Sequence, residues 1–376
     1  MQLSDIGELS LLKTIRRRFT VKSKDVIAGI GDDAAVIKPR GKKLLITTDM
    51  MVERVHFDLS FTTPYQLGFK LVSVNVSDIY AMGGIPHYLL LDIAMNKITE
   101  EAFVNRFFDG IQDAIKLYGI SLIGGDISSS KNDMVAAASL IGYAEIPVKR
   151  SGAKPGDKIY VTGSLGDSAC GFELLKRIKK PVPIGNTPSR TLPPRGGGMG
   201  GGDNSQLLKM GLTWNRVKPL LKRHLMPEAR SPKNLVKYAT AMIDLSDGLF
   251  IDLSRLCNES KVGARIYMEH IPVSSQAKKA SSALGLDLFK LATSGGEDYE
   301  LLFTAPPLTT IPPLINRYAS SAPRRTRRGE QPRRGVGGVK ITCIGDITKK
   351  GMVAVDKYGK ESALKAEGYQ HYGIQR

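Results

Sequence analysis

"AMIDLSDGLFIDLSRL" (241–256) changes character twice in a short span. Met242 and Ile243 end an apolar, strand-like run that Asp244 closes, and Leu249, Leu253 and Leu256 then recur at the spacing of one helical face. The expected unit is therefore strand, turn and helix, with Asp244 at the strand end and Asp247 at the helix start. Either acid suits a helix N-terminus, where a carboxylate accepts backbone N–H groups and meets the positive end of the dipole. Taken alone, the segment reads as capping. Recurrence of the pattern along the chain changes that reading.

Working outward, strand-like and helix-like segments alternate. "KKLLITTD" (42–49) reads as a strand and "PYQLGFKLVSVNVSDIYAMG" (64–83) as a helix opened by Pro64 and closed near Gly83. "HYLLLDIAM" (87–95) is a strand. The helix after it takes Thr99 as its N-cap, puts Phe103, Phe107, Ile111 and Ile115 on one face, and ends at Gly119. "ISLIGG" and "MVAAASLIGYA" are two more strands, and a Pro-Gly turn at 155–156 restarts the pattern. The expected fold is two domains of α/β or α+β type, 1–148 and 149–376, with a boundary at about 146–150.

Two tracts stand outside this alternation. Residues 181–206 are rich in Pro and Gly, and 322–337 carry a cluster of arginines around a single glutamate; neither has the periodicity to build a core. The arginine tract accounts for part of the net charge of +18. Clustered arginine neutralises phosphates, so non-specific nucleic-acid binding through this tract is the most that composition supports. No aromatic-interleaved basic face or known nucleic-acid motif accompanies it. The three cysteines, Cys170, Cys257 and Cys343, are far apart, which points to buried reduced thiols rather than disulfides or a zinc site. No apolar run is long enough for a membrane span. The N-terminal amphipathic pattern (Ile6, Leu9, Leu12, Ile15) carries its charges at the wrong end for a signal peptide, so the expected location is the cytoplasm.

The acids recur where apolar runs end: Asp32 and Asp33 in "GIGDDAAVI", Asp49 in "LLITTDM", Asp78 in "VNVSDIYAMGG", Asp126 in "LIGGDISSS", Asp244 and Asp247, then Glu297 and Asp298 in "SGGEDYELLF". Turn chemistry explains any one of them. Gathered into one site they conflict, since unit charges about 4 Å apart cost on the order of 4 kcal/mol at an effective dielectric near 20. Oxygen ligands without His or Cys point to Mg²⁺, which keeps several waters and bridges substrate phosphates. The Walker A pattern is absent, so any ATP site belongs to a different fold.

The ordered set "GIGDDAAVI", "TTDMMVERVHF", "NVSDIYAMGGIP", "LIGGDIS", "RSGAKPGDKIYVTGSLGDSA", "IDLSDGL" and "SGGEDYELLFT", ending in "CIGDIT" and "EGYQHY", resembles the thiamine-monophosphate kinase family of the aminoimidazole-ribonucleotide-synthetase-like superfamily. The resemblance runs from about residue 5 to about residue 372, interrupted by the two tracts. It implies ATP-dependent phosphorylation of thiamine monophosphate to thiamine diphosphate by direct transfer, with several Mg²⁺ ions and no general base or covalent nucleophile. By the same resemblance Asp33, Thr47, Thr48, Asp49, Asp78, Asp126, Asp244 and Asp247 match metal ligands. Gly125, Asp126, Arg150 and Ser246 match ATP-binding positions, and His56 and Glu297 match substrate-binding positions. The implied architecture is an N-terminal strand-rich domain that forms a barrel shared in a homodimer, followed by a C-terminal α/β domain. One departure is Ala366, where the family usually has an aromatic residue in the thiamine pocket; Tyr369 and Tyr372 are the nearby aromatics.

Two other readings remain at this stage: another ATP-using enzyme of the same superfamily, or a basic nucleic-acid-associated protein that keeps the scaffold. A selenium substrate is disfavoured by the lack of a cysteine near the N-terminus, and an inactive scaffold would be expected to have broken acid motifs, which here are intact.

Overall fold

The alternation in 43–52 is that of a strand with two unlike faces, and the structure, a computed structural model, bears it out. It describes residues 14–15, 17–19, 23–28, 36–39, 41–182, 184, 205–307 and 340–369. The expected tracts 181–206 and 322–337, apart from 181–182, 184 and 205–206, lie outside the described residues, as do Asp32, Asp33 and Tyr372.

A short ribbon pairs β1 (Val26–Ala28) with β2 (Val36–Ile37). A four-stranded sheet follows, built from β3 (Lys43–Val52), β4 (Ile85–Asn96), β5 (Ser121–Ser130) and β6 (Val135–Ala144) in the order β3-β6-β4-β5. Helix α1 (Pro64–Ala81) leads into β4, and helix α2 (Glu101–Tyr118) crosses between the parallel strands β4 and β5, as a parallel pair requires. Both helices lie on one face of this sheet. Ala136, Ala138, Leu140 and Met51 point into that covered face and are buried.

Local chemistry fixes the helix ends. Thr63 accepts the Gln66 N–H and Gln66 Oε1 accepts the Thr63 N–H, a reciprocal box that satisfies two donors beside Pro64. Helix α2 ends at Gly119 in the left-handed conformation, as expected, but Thr99 is not its cap. Glu100 holds that position without a side-chain bond, because its carbonyl is the one that accepts the first helical N–H groups, from Phe103 and Val104, while Thr99 still belongs to the turn closed on the Asn96 carbonyl. The two helices meet at glycines: a Cβ on Gly68 would lie 2.1 Å from the Phe107 carbonyl oxygen, and one on Gly110 would lie 1.9 Å from that of Tyr65.

The second sheet has seven strands in the order β13-β12-β9-β11-β7-β10-β8. These are β7 (Lys158–Thr162), β8 (Ala241–Asp244), β9 (Gly263–Tyr267), β10 (Leu301–Ala305), β11 (Ile341–Thr348), β12 (Met352–Val355) and β13 (Glu361–Ala363). Helices α3 (Asp167–Ile178), α4 (Ser205–Lys209), α5 (Trp214–Leu225), α6 (Leu249–Ser260), α7 (Ser275–Leu284) and α8 (Leu288–Ser294) accompany it. The pairing is antiparallel except for β12 with β9, so the mixture of sheets and helices is the α+β class expected. A single apolar cluster joins Leu67, Leu71 and Phe107 of the first part to Leu174, Leu220 and Leu221 of the second. Cys170 and Cys257 are buried as expected; Cys343 is exposed, because it lies at the irregularity in the β11–β7 pairing rather than in regular register.

The glycine contact between α1 and α2 leaves no room for a methyl group. Gly110→Ala is expected to destabilise the protein by roughly 1 to 3 kcal/mol, since overpacking outweighs the ~1 kcal/mol of helix propensity that Ala gains. Urea unfolding measures this, and a variant as stable as the parent would show that the helices can part.

Candidate active site

Strand alternation divides the acids before any tertiary contact does. Residues 45, 47, 49 and 51 of β3 face helix α1, while 44, 46, 48 and 50 face the other way. Thr47 and Asp49 therefore look toward α1, and the Thr47 hydroxyl donates to Asp78 Oδ2 at 2.5 Å. One residue back on α1, the buried Ser77 hydroxyl donates to Asp244 Oδ2 at 2.7 Å, joining the helix to the end of β8. Asp49, Asp78 and Asp244 thus meet where the two sheets approach each other through α1.

Their electrostatics record a shortage of positive charge. Burial, then the Asp78 and Asp247 charges, push the Asp49 carboxyl up to about 7. Burial and Asp78 push Asp244 up to about 8 against the Ser77 hydrogen bond. Asp78 is raised by burial and drawn back by Thr47 and by the Arg150 guanidinium, so Arg150 acts on this cluster from the link to the second sheet.

The turn after β8 corrects one assignment. Asp247 lies before the helix rather than capping it, and the carboxylate that satisfies the turn is Asp252, reaching back from the first turn of α6. Its Oδ2 accepts the N–H groups of Ser246, Asp247 and Gly248 at 3.1, 3.0 and 3.1 Å. Asp247 is left to face the site, paired with Arg255 at 2.5 Å. Ser246 presents its carbonyl to the Glu297 N–H at 2.7 Å, and the Tyr369 N–H bonds the Asp247 carbonyl, so the "GGEDYE" loop and the C-terminal segment both close on this turn. Ala366 is exposed.

The acids of "GGEDYE" separate to different partners. Glu297, at φ 65°, sits between Lys70 Nζ of α1 at 2.7 Å and His224 Nδ1 of α5 at 3.0 Å. Burial raises its carboxyl, but Lys70 and His224 outweigh that and hold it well below the usual range. Asp298 accepts the Gly166 and Ser168 N–H groups at the start of α3, and Glu300 is fully buried between Arg223, Arg230 and Thr162. These two are structural. His56, whose Nδ1 accepts the Val52 N–H at 3.0 Å, lines one crevice with Lys70 and His224. Of the two substrate positions implied by the resemblance, His56 lines this crevice and Glu297 pairs with two of its lining residues, Lys70 and His224. Lys70 and His224, which join them, were not singled out in the sequence; a charged residue inside an apolar helix face was the available signal.

Three expected residues stand apart within the single chain. Thr48 and Asp126 point to the uncovered face of the first sheet, where Asp126 pairs in register with Asp92 and Thr48 takes a hydrogen bond from Ser139. Gly125 lies level with Asp49 but three strands away, about 14 Å at the usual strand spacing. Gly125 has φ 144°, and a Cβ there would lie 1.9 Å from the Leu91 carbonyl oxygen, so the close approach of the β4 backbone requires glycine at this position. Among the described residues no three His, Cys, Asp or Glu side chains form a ready-made metal cage; Asp33 is outside them.

The raised carboxyls make stability depend on pH. Asp49 and Asp244 hold their protons in the folded state to about 7 and about 8 but release them near 3.8 when unfolded, so their contribution is full below pH 4 and is lost as pH rises through 7 to 8. In metal-free buffer the melting temperature is expected to fall progressively from about pH 5 to about pH 8 and to level off above that. A flat or rising profile would contradict the burial of these acids.

Comparison with known proteins agrees with this geometry. Residues 31–144 match the family described as AIR synthase related protein, N-terminal domain. The chain is 36% identical over 308 residues to thiamine-monophosphate kinase of Aquifex aeolicus, covering 81% of this chain and 88% of the relative. It is 33% identical over 376 residues to that of Escherichia coli K12, covering 97% and 98%. The solved structure of AaThiL complexed with AMPPCP and TMP superposes with a TM-score of 0.67 at 31% identity over 99% of each chain. At this identity over nearly the full length, and with acids at the strand ends where the family motifs fall, the chain belongs to the thiamine-monophosphate kinase family.

Proposed function

We propose that this protein transfers the γ-phosphoryl group of ATP to the phosphate of thiamine monophosphate, giving thiamine diphosphate. The observation that carries this reading is the meeting of half-buried Asp49 and Asp78 with buried Asp244, short of cations, in a chain of this family. A relative captured with AMPPCP, an ATP analogue, together with TMP supports paired nucleotide and acceptor sites.

The residues fit Mg²⁺. Their donors are carboxylate and hydroxyl oxygens, and the raised carboxyls are those a divalent cation would return to the ionised form. An all-protein cage is not required, because Mg²⁺ keeps waters and takes phosphate oxygens as ligands. Asp33, Thr47, Asp49, Asp78, Asp244 and Asp247 are proposed to hold it, and it would neutralise the charge between two phosphate groups. Arg150 and Ser246 are assigned to ATP, and His56 and Glu297 to the acceptor. The acceptor oxygen is already anionic near neutral pH, so the protein has no proton to remove, and catalysis consists of aligning two anions and offsetting their repulsion.

Thr48, Gly125 and Asp126 fit this scheme through a homodimer. β3 and β5 are the edges of the first sheet, and Leu44, Ile46 and Met50 are exposed on its uncovered face. Pairing β3 of one copy with β5 of the other about a twofold would close eight strands into a barrel and bury those side chains. The same pairing would bring the 125–126 segment of a second copy beside the edge strand β3, which carries Thr47, Thr48 and Asp49. A division into 1–148, for metal, ATP and dimer contacts, and 149–376 follows the sheet membership of the strands. Among the described residues no helix is long and apolar enough to cross a membrane, and a cytoplasmic enzyme is proposed.

Incubation with Mg-ATP and thiamine monophosphate should yield thiamine diphosphate on chromatography; folded protein that gives none would overturn the proposal. Asp78→Asn should abolish turnover yet raise the metal-free melting temperature, because it removes a carboxylate crowded by Asp49 and Asp244. Near-normal turnover in that variant would return Asp78 to a structural role. Light scattering should give a mass near twice 40.9 kDa, and a fully active particle of 40.9 kDa would exclude the dimer.

A further inference from the structure

Helix α1 touches the second part of the molecule through two polar pairs on one of its faces. Ser77 bonds Asp244, and Lys70, seven residues earlier, pairs with Glu297. Seven residues are two turns, so the pairs lie about 10 Å apart along the axis and on nearly the same face. Lys70 is only 3% exposed, on a stretch of helix where Leu67, Leu71 and Val74 are buried as well. The Glu297 backbone is held at φ 65°, its N–H is tied to Ser246, and its two carboxylate oxygens are taken singly by Lys70 and His224. The same His224 Nδ1 also lies 3.1 Å from Ser168 Oγ, and the Phe172 ring stacks on the imidazole at 5.0 Å. Such a carboxylate cannot rotate, yet its side chain stays 29% exposed, and each oxygen keeps a lone pair for a ligand.

We infer that Lys70 is a positioning residue: with His224 it fixes the Glu297 carboxylate relative to the Asp78–Asp244 cluster, setting the spacing between the cationic heteroaromatic end of the acceptor and its phosphate. This rests on the kinase reading and adds to it a residue that touches neither substrate. A mainly structural ion pair would affect both substrates alike. A positioning pair affects the one that spans the distance.

The test measures KM for each substrate and kcat in Lys70→Met, Lys70→Arg, Glu297→Gln and the Lys70→Met/Glu297→Gln double variant. Lys70→Met should raise KM for thiamine monophosphate about tenfold or more while KM for ATP and kcat stay within about threefold, with Lys70→Arg intermediate. Adding Lys70→Met to Glu297→Gln should change little further, because the partner is already gone. Equal rises in both KM values, an unchanged KM for thiamine monophosphate, or additive effects in the double variant would each overturn the inference. If Lys70→Met does not fold, the neutral double variant and His224→Gln carry the same comparison, since His224 holds the other oxygen. A wild-type protein without turnover defeats the kinase reading and this inference with it; an active one with an unchanged KM in Lys70→Met defeats the inference alone.

Discussion

Helix α1 runs through protein on nearly every side, so the polar groups along it have to find their partners inside the molecule, and among its described side chains only Asn75 Oδ1 is left buried without one. Gln66, Lys70, Ser73, Asn75 and Ser77 are all buried, and Gln66, Lys70, Ser73 and Ser77 reach side chains or carbonyls in other elements. A buried donor left unmatched costs about 1 to 3 kcal/mol, more if charged, so these pairs hold the elements around the helix in one arrangement. The acids at the strand ends are tolerable only within that frame. Their mutual repulsion is stored in raised carboxyl groups rather than relieved by movement.

The frame was largely legible in the sequence, and the site only partly so. β3, β4, β6, α1 and α2 follow from periodicity and from Pro64 and Gly119, because one sheet face is buried and one is not. Asp244 at a strand end was equally readable. Asp252 takes the capping role expected of Asp247, because capping can be done by a residue inside the first turn reaching back, and spacing from the strand does not reveal which carboxylate turns inward. Thr48 and Thr47 look alike in sequence, but the two-residue period sends them to opposite faces, and only the β3–β6 register tells which face meets α1. Glu300 with Arg223 and Arg230 was invisible for another reason: its partners come from helix α5 and the segment beyond it, at least seventy residues away.

The uncovered face of the first sheet and the polar covered junction answer different demands. The first exposes Leu44, Ile46 and Met50, which water disfavours; the second buries carboxylates, which a low dielectric disfavours. A second copy would relieve the first demand and a cation the second. Assembly and ligand binding therefore act on separate deficits of the same isolated chain.

The loop from Gly295 to Glu300 sends Glu297 to Lys70 and His224, Asp298 to the start of α3, and Glu300 to two arginines, all within four consecutive positions. Gly296 packs so that a Cβ would come within 2.5 Å of the Ser246 carbonyl oxygen, which anchors the loop at its start, and β10 anchors it at its end. Between these anchors the phase of the chain, rather than any one side chain, decides which acid meets which partner. Inserting or deleting a single residue would reassign every acid at once, so the length of this loop is under tighter constraint than its composition.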